Sequence, residues 1–115
     1  MAEADEDRVF ISVISIAEIR CGVERMPQGA RRDRIEIWMR DDLPVRFGAR
    51  ILPVDLAVAQ EWGVVMEKAR SCGMSVSVMD AFLAATARTF ELTLVTRNPE
   101  EFGGLGLRVL DPWVE

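Results

Sequence analysis

Three groups of polar residues stand out by type and spacing. Asp80 lies three residues after Ser77, at the head of Ser77-Val78-Met79-Asp80-Ala81-Phe82-Leu83-Ala84-Ala85-Thr86-Ala87. Glu18 lies three residues after Ser15, within Ile14-Ser15-Ile16-Ala17-Glu18-Ile19. Thr96-Arg97-Asn98, with Glu101 just beyond, follows the apolar run Leu92-Thr93-Leu94-Val95. Carboxylates near helix starts and neutral oxygen donors at a strand end are parts from which a hard-metal site is built, because Mg2+ and Mn2+ take oxygen ligands.

Each group also has a structural reading. Ser-x-x-Asp and Ser-x-x-Glu fit the capping box, in which the acid reaches back to an unpaired backbone N–H at the helix start. An acid in the first turn suits the helix dipole as well. On a helical wheel Asp80 falls between Ala84 and Ala87, close to Leu83, and so faces the packed side. A carboxylate there needs a partner, a hydrogen bond or a metal. Glu18 lies opposite the isoleucine stripe of its helix, on the face of Gly22 and Arg25, and capping remains open for it. Asn98 precedes Pro99, which suits a turn; as a ligand it offers a neutral oxygen. Thr96 offers a hydroxyl, and Arg97 either holds a phosphate or neutralises an acidic rim. Arg31-Arg32-Asp33-Arg34 is the one dense basic patch. It reads as a solvated helix face, as a contact to an RNA backbone, or as a contact to an acidic partner.

Composition narrows the chemistry. The chain has no histidine. That removes Ser-His-Asp triads and most zinc sites, so hydrolysis here would rest on carboxylates and a metal ion. The formal net charge of −5 argues against binding nucleic acid by bulk electrostatics, but is compatible with a small acidic metal site. Nearly all the positive charge is arginine, Lys68 being the single lysine. Cys21 and Cys72 have no metal-ligand spacing around them and read as plain thiols in a reducing compartment. The apolar runs are shorter than the roughly 20 residues that span a bilayer, and the acidic start is unlike a signal peptide. A cytoplasmic protein without a membrane segment is the expectation.

The elements that would position these groups alternate between strand and helix. Val9–Val13 reads as a strand, with a helix from Ser15 whose stripe is Ile16, Ile19, Val23 and Met26. Pro27-Gln28-Gly29 breaks it. A second helix is expected from about Ala30 to Leu43, ended by Pro44. Arg50–Val54 is extended, Asp55 caps a helix carrying Val58, Trp62, Val65, Met66 and Ala69, and Cys72-Gly73 ends it. The helix from Ser77 to about Phe90, a strand at Thr93–Val95, a turn at Glu100–Phe102 and a strand at Arg108–Leu110 complete the series. The 115-residue chain is one domain's length. Residues 1–8 read as an acidic tail without structure and residues 9–115 as the folded domain. The fold class is α/β with a parallel sheet, whose sites lie at the carboxyl ends of the strands.

These blocks resemble those of the PIN-domain ribonucleases, in particular the toxins of VapBC-type (VapC/FitB-like) toxin–antitoxin pairs. Ile14-Ser15-Ile16-Ala17-Glu18-Ile19 with Gly22 is similar to that family's second block. Met79-Asp80-Ala81 with Ala84-Ala85-Thr86-Ala87 is similar to the third, and Leu94-Val95-Thr96-Arg97-Asn98 with Phe102 to the fourth. The resemblance implies a three-layer α/β/α PIN-like domain and a Mg2+- or Mn2+-dependent endoribonuclease. Glu18 and Asp80 would be its catalytic acids, and Glu18, Asp80 and Asn98 its metal ligands. Thr96, Arg97 and Glu101 would lie near the substrate. It also implies an RNA substrate, an antitoxin partner and a homodimer. One departure stands against it: nothing here matches the family's first strand and its Asp block, which is central in the sheet. The expected consequence is a domain lacking that strand and one carboxylate. The alternative function is then a PIN-like chain that no longer cleaves and serves as a protein-binding module. A further reading is an unrelated α/β domain whose acids are only caps.

Overall fold

A computed structural model describes residues 9–95, 102, 105–106 and 108–110. The described residues divide into two compact units, one ending at Pro53 and the other beginning at Val54.

In the first unit, strand β1 (Ile11–Ser12) runs directly into helix α1 (Val13–Arg25). The helix starts two residues earlier than the sequence suggests, because Ser12 and not Ser15 caps it. The Ser12 hydroxyl accepts the Ile14 N–H at 3.0 Å and thereby satisfies one of the free donors of the first turn. Val23 is the residue α1 buries. After Pro27-Gln28-Gly29 the chain forms helix α2 (Ala30–Ile37), widens into a π-helical turn at Trp38–Asp42, and continues as helix α3 (Leu43–Phe47). Pro44 does not end the helical path as expected. It sits in the first turn of α3, where a missing N–H costs nothing. The wider turn just before it shifts the bonding so that Leu43 N–H reaches Trp38 C=O. Gly48, at φ 48°, then releases the chain into a 3-10 turn and strand β2 (Ile51–Leu52). β2 pairs parallel with β1, Ile11 opposite Ile51 and Ser12 opposite Leu52.

In the second unit, helix α4 (Leu56–Ser71) begins where the Asp55 carboxylate accepts the Val58 N–H at 3.0 Å, the cap expected from the sequence. It ends at Cys72. Gly73, at φ 72°, lets Met74 N–H return to the Ala69 carbonyl at 2.8 Å. Helix α5 (Val78–Thr89) follows and packs along α4. Val58, Val65 and Ala69 of α4 meet Ala81, Ala84 and Ala85 of α5, joined by Phe102 and Leu105, in one buried cluster. Alanines on the contact face let the two helices approach closely, and the volume comes from α4 and its aromatic flank. There Trp62 stacks on Phe82 with ring centroids 5.3 Å apart. Strand β3 (Leu94–Val95) pairs parallel with strand β4 (Val109–Leu110). The strands are thus parallel, as the alternation of elements predicts. Among the described residues they form two separate two-stranded pairs.

Candidate functional site

Asp80 occupies the first turn of α5. The cap is supplied by Ser77, whose hydroxyl accepts the Asp80 backbone N–H at 3.1 Å. Trp62 of α4 holds the same turn from outside, its indole N–H donating to the Val78 carbonyl at 3.2 Å. The start of the helix is therefore fixed by two side chains other than Asp80. The Asp80 carboxylate is half-buried beside the buried Ala84, on the packed side that the helical wheel predicts. It makes no hydrogen bond or ion pair among the described residues. A carboxylate half removed from water, with no internal cation, favours an external one.

Glu18 lies in the second turn of α1, in the other unit, and is exposed together with Gly22 and Arg25. Because the helix starts at Val13, Ser15 and Glu18 both stand inside it and the capping box open to Glu18 in the sequence is not formed. Its carboxylate has no hydrogen bond or ion pair among the described residues. Among the described residues both acids are thus hard oxygen donors without a structural partner, and that chemistry fits Mg2+ or Mn2+. Among the described residues no three Asp, Glu, Cys or His side chains gather into a metal-binding group. Thr96, Arg97, Asn98 and Glu101 lie outside the described residues.

The basic patch separates into different roles. Arg32 is mostly buried and bound within its own unit. Its Nε donates to Glu36 at 2.8 Å, its Nη2 lies 3.5 Å from Glu24, and its Nη1 donates to the Met26 carbonyl at 3.1 Å. Glu24 also pairs with Arg20. Arg32 therefore fastens the end of α1 to α2. Its hydrogen bond, with the charges of Arg20 and Arg40, holds the Glu36 carboxyl below the usual glutamate range. Arg31 and Arg34 are exposed.

One polar cluster had no local signal in the sequence, because its members come from separate segments. Glu61 of α4 and Arg88 of α5 form an ion pair at 2.6 Å, and both are about three-quarters buried. Arg88 also donates to the Leu105 carbonyl, and Arg108 donates to that of Glu91.

A parallel α/β fold with an acid at the head of an alanine-lined helix, unpaired among the described residues, defines a class that comparison with known proteins makes specific. The PIN domain family matches residues 1–103. The chain belongs to the PIN domain family. It is 33% identical over 107 residues to the plasmid stability protein StbB of Pseudomonas syringae pv. tomato, an alignment covering 93% of this chain and 77% of that one. It is 29% identical over 107 residues to the VapC ribonuclease Y4jK of Sinorhizobium fredii, covering 93% and 76%. The crystal structure of FitAcB from Neisseria gonorrhoeae superposes with a TM-score of 0.90 at 28% identity, covering 97% of this chain and 81% of that one. The fold is thus the three-layer α/β/α PIN fold anticipated from the motifs, and the chain is of the VapC type within it. Among the described residues no helix is long and apolar enough to cross a membrane.

Proposed function

We propose that this chain is a metal-dependent endoribonuclease, the toxin of a VapBC-type toxin–antitoxin pair, acting in the cytoplasm as a homodimer. The observation that carries the reading is Asp80: half-buried in the first turn of α5, relieved of capping by Ser77, and without a partner among the described residues. Likeness to a VapC ribonuclease supports RNA as the substrate class. Glu18, Asp80 and Asn98 would hold Mg2+ or Mn2+. The bound cation supplies charge stabilisation at the phosphodiester and activation of the attacking water. Asp80 and Glu18 would hold it with two negative charges, and Asn98 would add a neutral oxygen. By the resemblance, Arg97 would offset the charge of the scissile phosphate, and Thr96 and Glu101 would serve the substrate. Arg31 and Arg34, exposed on α2, are free to meet RNA or the antitoxin; Arg32 is committed to α1.

The test compares the chain with Asp80→Asn on a mixed RNA substrate with Mg2+ or Mn2+ and an EDTA control. Asn keeps the shape and removes the charge. Cleavage by the parent, abolished by EDTA and reduced at least about 100-fold in the variant, is the expected result. Equal background from both would overturn the enzyme reading. It would favour the alternative reading, a protein-binding module.

A further inference from the structure

The end of α5 away from Asp80 carries a second polar site. Arg88 lies eight positions after Asp80, about 12 Å along the helix at about 1.5 Å per residue. Beside Arg88 lies an open cavity of about 640 Å³, walled by Glu61, Arg88, Glu91 and Arg108, with Ala87 and Leu92 as apolar lining. Arg88 is held rigid by Glu61 at 2.6 Å and by the Leu105 carbonyl at 2.5 Å. Arg108 is anchored by one N–H to the Glu91 carbonyl at 3.2 Å, leaving the rest of its guanidinium exposed. Gly106 completes the wall. A Cβ on it would meet Arg88 Nη1 at 3.1 Å and Lys68 Nζ at 3.5 Å, so two cations converge on the one point that glycine leaves open. Lys68 has no ion-pair partner among the described residues.

We propose that this cavity docks an acidic side chain from an extended segment of a partner protein. The cations Lys68, Arg88 and Arg108 outnumber the acids Glu61 and Glu91, and Glu61 is already spent on Arg88. One carboxylate would sit over Gly106 where Lys68 and Arg88 converge, with Arg108 on the same wall, and the aliphatic stem of the docking residue would lie on Ala87 and Leu92. Planar guanidinium groups pre-oriented by their own hydrogen bonds suit that geometry. A single acid is favoured over an RNA strand. Consecutive phosphates would set further negative charges against Glu61 and Glu91, on a chain whose net charge is already −5. The acids also set register, because a basic residue next to the docking acid would meet Glu91.

The probe is a fluorescein-labelled hexapeptide of alternating glutamate and glycine, titrated with the full chain at low ionic strength and read by anisotropy. Arg108→Gln and Lys68→Gln alter exposed side chains and leave the Glu61–Arg88 pair intact; circular dichroism verifies their fold. The expected result is saturable binding that weakens at least tenfold in the double variant and declines with salt. It should be unchanged in Asp80→Asn, so the outcome is independent of whether the chain cleaves RNA. No binding by the parent, or equal binding by parent and double variant, would overturn the proposal. Labelled hexauridylate forms the second arm. If it binds more tightly than the peptide and is lost on the same two substitutions, the site is an RNA contact and the peptide assignment fails.

Discussion

Helix α5 and the stretch from α2 to α3 are built on opposite plans. Helix α5 is held by packing: Ala81, Ala84 and Ala85 are fully buried, and Ala87 nearly so. Helix α2 buries none of its residues and leaves Ile37 half exposed, and the stretch that follows it buries Leu43 while leaving Val45 largely exposed. Charged pairs tie it down instead, Arg32 to Glu36 and Glu24, and Arg40 to Asp41. Close packing fixes the side chains that α5 carries, Asp80 among them, since interiors packed at crystal-like density leave little play. A surface held by exposed ion pairs has little rigidity at stake and can rearrange around a partner.

The comparison breaks most sharply at Ala84. Ala84→Leu forces three extra carbons into a contact with no free space, and should cost about 1–3 kcal/mol. Ile37→Ala, on the other plan, should change stability by less than about 0.5 kcal/mol, because that side chain is half in water already. Urea denaturation of the two variants measures both. Equal losses would mean that the α2–α3 stretch is packed more firmly than its exposure indicates.

Capping gives the next largest effect. Ser77→Ala removes the acceptor for the Asp80 N–H and should cost about 1 kcal/mol. It also tests the division of labour at the head of α5. If the Asp80 carboxylate has no capping role, Asp80→Asn should be milder than Ser77→Ala in the same melt. A larger loss from Asp80→Asn would return Asp80 to the capping reading.

Glu91 sharpens the contrast from the stabilising side. It follows the C-cap of α5 at φ 54°, a left-handed position where a side chain crowds the backbone. The turn is otherwise regular, with Leu92 N–H returning to the Ala87 carbonyl at 2.8 Å. Glu91→Gly should therefore raise stability by up to about 1 kcal/mol. The same change removes one acid from the cavity beside Arg88. An unchanged or lower midpoint would mean that the Glu91 side chain supports the turn through its surroundings.

How far the sequence could be read follows the same division. The second unit was legible because local chemistry decides it. Asp55 and Ser77 cap as their types predict, the apolar period of α4 is regular, and the alanine run marks the buried face of α5. The sequence pattern starts this helix at Ser15, whereas the pairing of Ile11 and Ser12 with Ile51 and Leu52 ends the strand at Ser12 and leaves that residue as the cap. Pro44 illustrates the same limit. Proline forbids a helix interior but suits a first turn, and the π-helical turn that converts one into the other has no local mark. Arg32 and its neighbours are alike in type; the fold alone distinguishes the arginine bound to α1 from the two left outside. The Glu61–Arg88 pair joins residues 27 positions apart on two helices, and no spacing rule within one helix reports it.

The smallest expected effect lies in the ion pairs themselves. Arg32 lowers the Glu36 carboxyl from its usual 4.5, and Arg40 and Arg70 do the same to Asp41 and Glu67. A carboxyl with a depressed folded-state value contributes stability that is fully present above its unfolded value. That contribution is lost as pH falls through the folded value, here in the window below 4.5. These groups are exposed, so solvent and salt reduce what each is worth. Thermal melts between about pH 6 and about pH 3 should show the parent losing slightly more stability than Glu36→Gln, with the difference confined below about pH 4.5 and diminished by added salt. A gap in stability between parent and Glu36→Gln that survives at about pH 3 and in high salt would show that the Arg32 contact acts through packing. The α2–α3 stretch would then share the construction of α5.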